Sequence, residues 1–117
     1  MLLVDPDPLL RWSVETHLHQ WFDVVAAANP KDALARLRNS RFETIILTAA
    51  MEGPMRDMEA EARVRNKNVK IVRLTTEGRR ARADGSVVSL EKPFRLEALA
   101  EILGVRALDA RESRHVR

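Results

Sequence analysis

A chain of 117 residues suits one domain, and 45% hydrophobic with 32% charged residues is the balance of an ordinary globular protein. The absence of cysteine excludes a disulfide framework, a thiolate zinc site and a cysteine nucleophile. A net charge of +3 with a pI near 9.9 raises the question of nucleic acid, but the arginines are scattered, no basic patch is interleaved with aromatics and tyrosine is absent, so nucleic acid is not expected to bind through this domain.

Met1–Val4 is a short apolar run and a first strand. Asp5 and Asp7 interrupt it, which argues against a signal peptide, and no apolar stretch approaches the ~20 residues that cross a bilayer, so a cytoplasmic protein without a membrane partner is expected. "DPDP" forces a turn, and Pro8 is placed to begin a helix. From Leu9 to Trp21 the apolar positions Leu10, Val14, Leu18 and Trp21 follow helical spacing. "FDVVAAA" (22–28) predicts a second strand, and Asn29 with Pro30 a helix cap, ahead of Ala33, Leu34 and Leu37 on one helix face. Thr44–Leu47 is a third strand that runs into Thr48.

Residues 55–67 (MRDMEAEARVRNK) read as a charged helix, with Asp57, Glu59 and Glu61 assigned to a solvated face. "VKIVRLT" (69–75) and "SVVSL" (86–90) are the fourth and fifth strands, and Leu96, Leu99, Ala100 and Leu103 mark a last helix that Gly104 is placed to cap. Strands alternating with helices imply a parallel sheet wrapped by helices. The connection "TEGRRARADG" (76–85) is short for a full crossover, so a shortened or irregular fourth helix is expected there. The polar tail 105–117 contains four Arg against one Asp and one Glu and reads as a solvated tail or the start of a linker.

Some residues stand out singly. Arg73 interrupts an apolar strand. It is expected either to reach solvent, an acidic partner or a second copy, with Arg79 and Arg80 forming an interaction surface beside it, or to lie along the surface with its stem packed. His17 and His19 lack a third ligand and read as structural. Of Trp12 and Trp21, at least one is expected in the core.

The strand ends carry a family likeness. "LLVDPDPLLR", "LTTEG" and "LEKPF" occur in that order, and residues 1–104 resemble the receiver domain of bacterial two-component response regulators. The resemblance implies a doubly wound, flavodoxin-like sheet of five parallel strands in the order 2-1-3-4-5. It also implies phosphoryl transfer from a histidine kinase to an aspartate, beside a magnesium ion, with a hydroxyl residue and a lysine on the phosphoryl oxygens. Thr75 and Lys92 match the hydroxyl and lysine places, and Asp5 matches one member of the acidic pair.

The same comparison exposes departures. Thr48 stands where the acceptor aspartate belongs, Pro6 replaces the second acid, and Asp7 comes one position late, with its side chain expected to point elsewhere. Ala50 offers only its carbonyl, and Ser89 stands where an aromatic switch residue is common. The pattern resembles a degenerate, or pseudo-, receiver: Asp5, Thr75 and Lys92 are remnants, the magnesium site is expected to be lost, and Lys92 is expected to pair with Asp5 in place of the metal rather than point to solvent. The expected function is a non-enzymatic regulatory module. Its signal would pass to a protein partner, a second copy or an output domain beyond this chain. One alternative is a working receiver that uses Thr48 or Asp7 with magnesium; another is arginine-driven nucleic-acid binding.

Overall fold

The computed structural model describes residues 1–48, 52–75, 83–84 and 87–105. The strands are β1 (Leu2–Val4), β2 (Val25–Ala27), β3 (Thr44–Thr48), β4 (Lys70–Thr75), β5 (Ala83–Asp84) and β6 (Val87–Glu91), and the helices are α1 (Pro8–Leu18), α2 (Pro30–Asn39), α3 (Glu52–Arg65) and α4 (Leu96–Ile102). They make one sheet in the order β2-β1-β3-β4-β6-β5. Its five parallel strands keep the expected 2-1-3-4-5 order. The sixth, β5, is a two-residue strand that pairs antiparallel with Val87 and Val88 of β6. It lies in the short connection where a shortened or irregular helix was expected; the rest of that connection, 76–82 and 85, is outside the described residues, as is the tail from 106.

Strand parity divides the core. Leu2, Val4, Ile45, Leu47 and Ile71 pack with Ala33 and Leu37 of α2 and Met58 and Ala62 of α3. Leu3, Ile46, Val72 and Leu74 face the other way, onto Val14 and Leu18 of α1 and Leu99 and Ala100 of α4. Neighbouring strands in register, Val4 opposite both Ala27 and Leu47, and Thr75 opposite Glu91, bring their carboxyl ends to one rim of the sheet.

The helix starts follow their capping residues. Asp7 Oδ1 accepts the backbone N–H of Leu9 at 2.9 Å with Pro8 opening α1, and Asn29 Oδ1 accepts that of Asp32 at 2.9 Å with Pro30 opening α2. α1 stops at Leu18 rather than reaching Trp21; the backbone N–H groups of Trp21 and Phe22 both turn back onto the Leu18 carbonyl, at 3.0 and 2.9 Å. Trp21 is half-buried against the α1–α4 core with its ring edge-on to His17, whereas Trp12 is 64% exposed.

α3 begins at Glu52, earlier than the sequence pattern indicated, and Pro54 falls in its first turn, where backbone donors have no helical partner to lose. No helix among the described residues is long and apolar enough to cross a membrane.

Candidate functional site

Four side chains stand at the shared rim: Asp5 after β1, Thr48 at the end of β3, Thr75 at the end of β4 and Lys92 after β6. Lys92 is fixed there by its backbone, whose N–H donates to the Thr75 carbonyl at 2.6 Å. Its ammonium donates to Asp5 Oδ2 at 2.6 Å and lies 3.4 Å from Thr48 Oγ1. The Thr48 hydroxyl also donates to Asp5 Oδ2. The other carboxylate oxygen, Oδ1, accepts the backbone N–H of Asp7 at 2.8 Å, and the Asp5 carbonyl accepts from Arg11 Nη1 at 2.7 Å.

Asp5 has no exposed surface, and the Lys92 side chain keeps 22% exposure. A buried carboxylate is tolerable only when paired and hydrogen-bonded, and here both oxygens are engaged. Asp5 and Lys92 are thus in direct contact, the arrangement expected from the sequence.

Pro6 supplies no carboxylate and is exposed. Asp7 is exposed and spends its side chain on the α1 cap. Thr75 Oγ1 is buried without a hydrogen-bond partner among the described residues. Ser89 is half-buried, opposite Arg73 in register. Ala50, Arg79 and Arg80 lie outside the described residues. Magnesium takes near-octahedral oxygen ligands and one or two carboxylates. Among the described residues the cluster contributes one carboxylate, Asp5, with both oxygens occupied, and no group of three potential metal-binding side chains occurs there. This donor set does not fit the ion that the resemblance implies.

One sequence expectation needs correction. Glu59, assigned to a solvated helix face, is buried. It receives Arg73 in a two-pronged contact, Nε to Oε2 at 2.8 Å and Nη2 to Oε1 at 2.7 Å, with Arg63 Nη1 at 4.0 Å from Oε1. Arg73, expected either on an interaction surface or along the protein surface with its stem packed, meets an acid of its own chain and keeps 36% side-chain exposure. The physical reason is parity: Arg73 shares a sheet face with Ile71, under α3, so the carboxylate that this helix buries there finds its partner in the half-exposed guanidinium. The spacing of Met58, Glu59, Ala62 and Asn66, all buried, was the available signal.

Among solved structures, the chain is similar to a response regulator receiver protein from Sinorhizobium medicae, with 21% identity, 88% of this chain and 89% of that one covered, and a TM-score of 0.74. The fold is that of a receiver domain. The receiver domain of a sensor histidine kinase from Pseudomonas aeruginosa, which has a magnesium ion in its active-site cleft, matches at 22% identity over 87% of this chain and 91% of that one, with a TM-score of 0.71. A response regulator receiver modulated diguanylate cyclase from Pelobacter carbinolicus matches at 18% identity over 97% and 96%, with a TM-score of 0.70. No protein-family model and no curated protein matches the sequence. The receiver fold is thus shown by shape, at low identity.

Proposed function

We propose that this chain is a regulatory module of signal transduction, with a receiver fold but without the aspartyl-phosphate cycle. One observation carries the reading: the group delivered by β3 to the rim is the Thr48 hydroxyl, and it is turned as a donor onto Asp5, which Lys92 already neutralises. Phosphoryl transfer to a receiver needs a carboxylate nucleophile, and magnesium to offset the charge that develops. In this reading neither is supplied, the magnesium site is lost, and Asp7 is kept from acting as a substitute acceptor by its role at the α1 cap. Residues 1–104 form the receiver-like unit, and 105–117 lead toward a linker. The module has no catalytic role of its own and works in the cytoplasm. It signals by contact with a protein partner, with a second copy or with an output domain beyond this chain. The name of the Pelobacter protein, in which a receiver modulates a cyclase, supports that mode of action.

The decisive experiment is incubation with acetyl phosphate and magnesium, read by intact mass. An unchanged mass is expected for the wild-type chain and also for Thr48→Asp, because Pro6 still withholds a metal ligand. A phosphorylated wild-type species would overturn the proposal; a phosphorylated Thr48→Asp chain would show that the missing metal ligand is not limiting.

A further inference from the structure

Beside the rim cluster, a cleft of about 440 Å³ opens between the carboxyl end of β2, the first turn of α2 and the flank of α1. Ala26, Ala27, Ala28, Arg11, Asp32 and Arg36 line it. Three consecutive alanines leave nothing beyond a methyl group to fill the space at the strand end. Two guanidinium groups border it, and neither is paired with a carboxylate among the described residues. Among the described residues the Arg11 side chain donates to the Asp5 carbonyl, and the Asp32 carboxylate accepts from Asn29 Nδ2, at 3.2 Å. The lining thus presents two cations against one anion.

We propose that this cleft binds a small phosphate monoester or free phosphate, with Arg36 and Arg11 as the anion contacts. The volume falls within the ~300–1,000 Å³ of small-ligand sites. The cleft lies outside the carboxyl end of β2, on the rim where open parallel sheets bind ligands and one strand away from the β1–β3 switch point. The planar guanidinium fork matches phosphate oxygens better than a point charge would. Asp32 is placed to accept from a hydroxyl or amino group of the ligand, and the alanine floor lets a flat ring approach the strand. Occupancy has a consequence at the rim. Arg11 props the Asp5 backbone, so a phosphate that draws its guanidinium away loosens the residue on which Lys92 and Thr48 converge. The inference does not depend on the absence of aspartyl phosphorylation.

The test uses the full chain with AMP, inorganic phosphate and adenosine, read by thermal shift and by amide NMR. AMP is expected to raise Tm saturably with a Kd of about 1 mM or tighter, and to move the signals of Ala26–Ala28 together with those of Asp5 and Lys92. Adenosine is expected to do neither. Arg36→Ala, on an exposed residue, should weaken AMP about tenfold or more, and Arg11→Ala should weaken it while uncoupling the Asp5 and Lys92 signals. Inorganic phosphate binding as tightly as AMP would assign the cleft to a free anion; tighter AMP would assign it to a nucleotide. No saturable response to either phosphate-bearing probe overturns the proposal. So does adenosine matching AMP, or Arg36→Ala binding like wild type, and this last outcome decides even if Arg11→Ala fails to fold.

Discussion

Desolvating a carboxylate costs several kcal/mol unless its oxygens find partners, and Asp5 finds three: the Lys92 ammonium, the Thr48 hydroxyl and the Asp7 N–H. Removing the cation should therefore cost more than the loss of a surface pair. Lys92→Ala is expected to lower unfolding free energy by about 3–5 kcal/mol, measured by urea denaturation, and the double change Asp5→Asn with Lys92→Met should recover most of that loss. A Lys92→Ala penalty within ~1 kcal/mol, the size of an exposed pair, would mean that Asp5 is not buried as described. Arg73 and Glu59 make a comparable argument on the opposite sheet face. Because the Arg73 side chain is 36% exposed, solvent screening moderates the pair, and a double-mutant cycle between Glu59→Ala and Arg73→Ala should give a coupling of about 1–3 kcal/mol. A coupling near zero would reduce the two-pronged contact to a surface ornament.

At the scale of elements, Asp7 with Pro8 and Asn29 with Pro30 set the helix starts by local chemistry that the sequence displays openly. The end of α4 is set by Gly104 at φ 87°, a left-handed conformation. Gly104→Ala should cost about 1–2 kcal/mol in thermal or urea unfolding even though an added methyl group meets no neighbour within 4 Å. An unchanged stability would show that the turn relaxes to another conformation. The parallel order was legible because short apolar strands alternating with helices have few solutions. β5 was not: two residues carry no periodicity, and their pairing with β6 depends on register rather than on composition. Asp5 and Lys92 were legible as partners because they are opposite charges at strand ends of a recognisable pattern. Glu59 was less so, because acids spaced at every second position suggest a solvated helix face, and the helical spacing of Glu59 with Met58 and Ala62 has to be read together with the strand parity of Arg73 to show which acid turns inward.

Across the molecule, two cores on either side of one sheet leave a single rim where β1, β3, β4 and β6 end together. In this chain that rim is held by contacts internal to the protein, so residues 87 positions apart in sequence, Asp5 and Lys92, tie the first strand to the last parallel one. The backbone N–H of Asp7 gives that tie an unusual observer. It belongs to an exposed residue beside a turn, where amide protons ordinarily exchange with solvent within the fraying of a chain segment, yet it donates to a carboxylate with no exposed surface. Its deuterium uptake should be slow, should speed up in Lys92→Ala, and should lag far behind that of exposed amides without a hydrogen-bond partner, since Pro6 and Pro8 on either side carry no amide hydrogen. Uptake as fast as theirs would mean that the rim opens freely. A single amide at the edge of the molecule then serves as a clock for the unlocking of its centre.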